Sequence, residues 1–363
     1  MREKIMQYVS GRWGKVISVF ILSRIIYGII IWFSNCSVTE LCTLCDNEHY
    51  ISIAQNGYTE DWQTAFFPLI PFIIRFIGTK GMLMINQIAF LLSMFLLDSL
   101  TDKKDNFVLK LFGLSVISFF SMMFYTETLL CFFTVLGYYL FTKRHFGFGM
   151  GIVIGLCVAT KSIGAMLFFA IFIGMCCLWY QKQLRLMDIL KTYIPATIIS
   201  CLYPMYLQMT FGNWKLFVDC QYSSWRRLQT NLLQELWIQL NFICSSERRI
   251  YKINEILTLF MTCCILYGLY YLLRTYKKKG MDMVNMLVLV LYTVFAILAI
   301  NSTIRIPIDN APTTSFYRYY YSLFTIYLLA AQLEGTKRQV VYYCSIGISF
   351  MAAVLFSKNF YFY

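Results

Sequence analysis

The chain has 363 residues, of which 59% are hydrophobic and only 13% charged, with a formal net charge of +13. Soluble domains carry about 25% charged residues, so the composition excludes a soluble domain with a single anchor and points to an all-α polytopic membrane protein. The positive charge is no nucleic-acid signal, because Lys and Arg fall in short clusters between apolar runs, the pattern that sets membrane topology.

A spanning helix needs ~20 apolar residues. In chain order the apolar runs predict about eleven spans, at 13–34, 82–100, 107–121, 128–142, 147–160, 163–180, 190–211, 254–273, 283–300, 318–334 and 339–356. The first run has no small-residue cleavage site after it and reads as a retained helix. The segment 66–81 is apolar but holds Pro68, Pro71, Arg75 and Lys80, and reads as an interfacial or re-entrant piece. Most of the 13 Cys residues lie in or beside apolar runs, where Cys acts as a small hydrophobe. Cys42 and Cys45 form a CxxC with no evident metal or redox partner nearby.

Loop charge predicts the orientation. With the N-terminus inside, every short inner loop carries a basic pair or more, such as Lys103-Lys104, Lys143-Arg144, Lys277 to Lys279 and Lys337-Arg338. The outer side then holds the long polar, aromatic-rich segments: 35–81 as a first outer loop, 212–253 as a long outer loop, and 301–317. Residues 1–363 read as one integral-membrane domain whose function lies on the outer face.

The first outer loop carries Asp46, Glu48 and His49. His49, Ile53 and Ala54 give a short amphipathic juxtamembrane helix that Gly57 would stop. Asp46 is either the N-cap of that helix or a general base at the water–lipid boundary. Glu48 and His49 are candidate substrate-binding groups. Together with Asp46 they make a compact but incomplete metal-ligand set, so no metal is assigned. Glu127 opens an apolar run, either as a favourable acid at a helix N-terminus or as a group for sugar hydroxyls. Lys161 interrupts an apolar stretch, where it either snorkels to the headgroups or meets a phosphate. Trp225 and Arg226 suit a sugar ring and a phosphate, and suit an interfacial belt equally. Arg318 and Tyr319 stand at the outer start of a span. The guanidinium suits bidentate phosphate binding, with membrane anchoring by the tyrosines as the alternative. Arg24, inside the first span, needs a bundle partner, for which Glu127 and Asp98 are candidates.

Taken in order, these pieces resemble the PIG-V family of GPI mannosyltransferases and their bacterial relatives. The match runs through Asp46, Ala54-Gln55-Asn56-Gly57-Tyr58, Phe66-Phe67-Pro68-Leu69-Ile70-Pro71, Tyr125-Thr126-Glu127-Thr128, Ala159 to Gly164, and Arg318-Tyr319. The chain departs from the family pattern at Cys45, where Trp is usual, at Lys161 and Ile163, which replace Arg and Asn, and at Tyr317, which replaces Pro. The resemblance implies a GT-C type bundle and an inverting glycosyltransferase on the outer or lumenal face. It further implies a polyprenyl-phosphate sugar as donor, commonly mannose, a glycan or glycolipid acceptor, and no separate cofactor. Asp46 would be the catalytic base, with Lys161 and Arg318 on the leaving phosphate. The membrane would be the plasma membrane in a bacterium or the endoplasmic reticulum in a eukaryote, with a partner subunit allowed. The competing readings are a transporter or flippase for a lipid-linked or anionic substrate, which Arg24 fits, and a non-catalytic glycolipid-binding relative.

Overall fold

The computed structural model describes residues 2–101, 106–246, 249–277, 280–305, 312–313 and 315–358. The chain is almost wholly helical. Among the described residues, six helices are long and apolar enough to cross a membrane. Their exposed faces carry apolar side chains: on the helix Leu186–Phe211 the stripe Leu190, Ile194, Ile198, Leu202, Met205 and Met209 lies outward. Only lipid covers such a surface without cost, so this is a polytopic membrane protein.

Helix α1 (Arg2–Phe33) is followed by a short α2 (Val38–Leu41), closed at its start by a Ser37–Glu40 capping box. Next comes α3 (Asp46–Asn56), which ends at Gly57, whose φ of 76° lies in the region that favours glycine. A 3-10 turn, Asp61–Ala65, leads into α4 (Leu69–Leu100). The expected separate pieces 66–81 and 82–100 are thus one kinked helix, broken at Gly78 (φ 75°).

The run 107–121 is not a regular span. It forms α5 (Phe107–Gly113) and α6 (Val116–Phe120), and is almost entirely buried. Its broken backbone is answered from inside the protein: the Tyr27 hydroxyl donates to the Leu114 carbonyl at 2.7 Å. Irregular backbone at membrane depth survives only where protein satisfies it.

Then follow α7 (Thr126–Thr142), α8 (Phe148–Thr160), α9 (Gly164–Tyr180) and α10 (Leu186–Phe211). Close approach joins α8 to α10, since a Cβ on Gly151 would lie 2.2 Å from the Thr192 carbonyl oxygen. The segment 212–253, expected as a loop, holds α11 (Leu216–Ser223), strand β1 (Arg227–Gln229), α12 (Leu232–Ser245) and the start of α13 (Arg249–Thr275). After α14 (Met283–Ile300), strand β2 (Thr303–Arg305) pairs antiparallel with β1, Leu228 opposite Ile304.

The expected span 318–334 is also broken, into α15 (Phe316–Ser322) and α16 (Phe324–Ala330), before α17 (Gly335–Ser357). The two broken segments meet. The Tyr327 hydroxyl donates to the Tyr321 carbonyl at 2.9 Å and lies 3.0 Å from the Ser115 hydroxyl.

Arg24 finds neither expected carboxylate. It donates to Gln87 Oε1 (2.8 Å), Ser121 Oγ (2.7 Å), and the carbonyl and hydroxyl of Ser118. Neutral oxygens satisfy the fork because Asp98 is taken by Arg12 at 2.5 Å, and Glu127 by other cations.

Candidate active site

The turn between α8 and α9 carries Lys161, the start of α7 carries Glu127, and α15 carries Arg318. These ends converge on α3. The Arg318 Nη2 donates to Asp46 Oδ2 at 3.0 Å. The Arg318 Nε lies 3.2 Å from Glu127 Oε1, and Lys161 Nζ donates to the same oxygen at 2.9 Å. The result is a row of alternating charge, Asp46–Arg318–Glu127–Lys161. Its middle is closed off, with Arg318 and Glu127 side chains 4% and 2% exposed. Its ends are open, Asp46 at 30% and Lys161 at 18%. A buried charge persists only when paired, and here each inner charge has a partner on either side.

Asp46 is not the cap of α3. Cys45 holds that position, at φ 56°, with no side-chain cap bond, and the Asp46 carboxylate turns to Arg318 instead. The neighbouring Asn47 sets this placement, a role the sequence reading missed. Fully buried, it donates to the Leu41 and Leu44 carbonyls (2.9 and 3.0 Å) and accepts from the Phe124 N–H at 2.9 Å. It thereby ties α3 to the segment leading into Glu127.

A chamber of about 300 Å³ opens over the row. Asp46, Lys161, Trp225, Arg318 and Tyr319 line it, and so does Ile163. The Lys161 ammonium stands 3.7 Å from the centre of the Tyr319 ring. Glu127 does not line the chamber. It lies beneath, paired with both cations, away from the chamber surface where the expected contact with sugar hydroxyls would lie. Arg318 lines the chamber with its Nη2 and Nε facing carboxylates.

Three other expected residues stand elsewhere. Glu48 is exposed on α3, because neighbouring helical positions face different ways. His49 packs its ring against Trp62 and Phe66 at 4.9 and 5.0 Å. Asp46, Glu48 and His49 therefore diverge, and no group of three or more His, Cys, Asp or Glu suited to a metal occurs among the described residues. Arg226 is exposed, at φ 51°, while Arg227, the first residue of β1, lines the chamber. The backbone turn at Arg226 and the pairing of β1 with β2 decide which of two adjacent arginines faces in. Alternating hydropathy gave no hint of so short a strand. Trp225 closes one wall, donating its indole N–H to the Trp62 carbonyl at 3.1 Å and so joining the two long loops.

Phe67 lines the chamber and also a second, apolar groove of about 420 Å³. That groove runs between α4, α8 and α10 past Pro68, Pro71, Tyr203 and Tyr206, with Arg75 as its charged residue. A charged chamber and an apolar groove sharing one wall suit an amphiphile with an anionic head. Comparison with protein-family models, curated proteins and solved structures finds no match.

Proposed function

We propose that the protein is a GT-C type glycosyltransferase that moves a sugar, mannose by the family resemblance, from a polyprenyl phosphate to a hydroxyl of a glycolipid or glycan acceptor. One juxtaposition supports this reading: an accessible carboxylate, Asp46, held by Arg318 in a chamber that also holds Lys161 and Arg227 and adjoins an apolar groove. The groove takes the polyprenyl tail. The chamber takes the phosphate and sugar.

Asp46 accepts the proton of the acceptor hydroxyl as its oxygen attacks the anomeric carbon. The new carbon–oxygen bond forms on the face opposite the phosphate, so configuration inverts. The old anomeric carbon–oxygen bond breaks, and its electron pair leaves on the phosphate oxygen. Lys161 and Arg227 stabilise that growing charge, the electrostatic share of such catalysis. Arg318 acts through Asp46, fixing the carboxylate's direction, and is a positioning residue.

The test is transfer from a polyprenyl-phosphate mannose to a crude membrane acceptor by wild type and Asp46→Asn. The amide keeps the size but takes no proton. The variant should fold, insert and lose at least ~100-fold in rate, the lower end of general-base contributions. Near-normal transfer by a well-inserted variant removes Asp46 from the chemistry.

A further inference from the structure

A second polar cluster lies behind the chamber, and the proposed reaction makes no use of it. On α12, Glu235 and Gln239 stand one turn apart and so share a face. Both are 1% exposed, while Leu233, Trp237 and Leu240 of the same helix lie open. Asn254 and Glu255 of α13 are equally buried, as is Thr313 in the turn before α15. The Thr313 N–H donates to Glu255 Oε1 at 2.9 Å, and Asn254 Nδ2 approaches the Thr313 carbonyl at 3.4 Å. Next to them, the Tyr320 hydroxyl donates to Asn301 Oδ1 at 2.8 Å.

These bonds leave much unanswered. Glu235 Oε2, Glu255 Oε2, Asn254 Oδ1, Gln239 Oε1 and Thr313 Oγ1 are buried without a hydrogen-bond partner. Gln239 Nε2 and Asn301 Nδ2 are buried and unpartnered as well. No cation pairs with either carboxyl among the described residues. Buried polar atoms are otherwise satisfied in folded proteins, by protein, water or an ion.

We propose that Glu235, Gln239, Asn254, Glu255 and Thr313 form a binding site for a hard divalent cation of the calcium class. The orphaned acceptors are carboxylate, amide and hydroxyl oxygens, the donors such an ion takes, roughly six to eight at a time. Two carboxylates with no ion-paired cation among the described residues match a double positive charge. All five side chains are buried. The two unpartnered amide nitrogens fit as donors to the coordinating carboxylates or to an ion-bound water. The ion would tie α12, which follows the Arg227 strand, to α13 and to the turn that leads into Arg318. It would steady one wall of the chamber, and it does not depend on the chamber's reaction.

The experiment uses the full chain purified in detergent and stripped with a chelator. Thermal unfolding is followed during titration with Ca²⁺, with Mg²⁺ in parallel, and Tb³⁺ emission is excited through tyrosine. Wild type should show a saturable rise in melting temperature with Ca²⁺, and tyrosine-sensitised Tb³⁺ emission that Ca²⁺ displaces. Glu235→Gln and Glu255→Gln should each bind at least ~10-fold more weakly. No saturable shift and no Tb³⁺ emission in wild type would overturn the site, and that measurement needs no variant to fold. Unchanged affinity in the double Gln variant would overturn it too, because binding would then lie elsewhere.

Discussion

The Asp46 carboxylate lies 3.0 Å from the Arg318 guanidinium, 272 residues away along the chain. The same guanidinium lies 3.2 Å from Glu127. One side chain thus aligns the exposed acid at the chamber floor and neutralises the buried acid beneath it. A second cation, Lys161, completes the row on the far side of Glu127.

Arg318 should therefore be sensitive in two separable ways. Arg318→Ala breaks a buried pairing and leaves Glu127 with Lys161 alone, a change expected to cost about 3–5 kcal/mol of stability. Low yield and a reduced melting temperature are the expected readout. Arg318→Lys keeps the charge but loses the fork that meets two carboxylates at once. It should insert normally and transfer sugar roughly tenfold more slowly, equal to ~1.4 kcal/mol of the barrier. Rates normalised to inserted protein check both.

The two adjacent arginines of the long loop should behave differently. Arg227 lines the chamber and Arg226 is exposed. Arg227→Ala should weaken use of the phosphate-linked donor by about tenfold or more, since a charge-assisted contact contributes ~1.5–3 kcal/mol. Arg226→Ala should stay within ~0.5 kcal/mol of wild type in stability, as surface substitutions do, with little change in transfer. Equal effects at both positions would contradict the strand register.

Sidedness follows from charge and is sharpened by one contact. Arg144, after α7, lies 3.3 Å from Asp282, at the start of α14. Lys143, Arg144 and the start of α14 at Asp282 therefore sit at one end of the bundle, and α7 and α14 both run from that end or to it. Their other ends, at Glu127 and Ile300, approach the chamber. Single Cys residues at Lys143 and Lys277, in a background cleared of reactive thiols, should resist an impermeant reagent in intact cells. One at Ser223 should label. Labelling at Lys277 from outside would invert the scheme.

Packing of α8 on α10 provides a stability test free of any functional assumption. A Cβ on Gly151 would meet the Thr192 carbonyl at 2.2 Å and Pro195 at 2.6 Å, whereas Gly149 has open space. Gly151→Ala should destabilise by about 1–3 kcal/mol, the usual cost of overpacking. Gly149→Ala should be neutral or slightly stabilising, because alanine is the better helix former. Melting temperatures in one detergent give the comparison.

The sequence by itself determined that the chain is helical and membrane-embedded. Apolar runs of spanning length and scarce charge leave no other way to satisfy the backbone in lipid. It also determined which residues were chemically expensive enough to notice: Asp46, Lys161 and Arg318 stand out because charge near an apolar run needs a reason. Tertiary structure alone decided what those charges touch. Hydropathy cannot tell a lipid-facing span from a buried segment, so 107–121 and 318–334 read as spans although each is broken and largely enclosed. Nor does spacing say that Glu127 would sit beneath Arg318 and Lys161, or that Asn47, between two louder acids, would anchor α3. Those outcomes depend on contacts between segments far apart in the chain, and a row of alternating charges becomes favourable only when packing removes water from its middle.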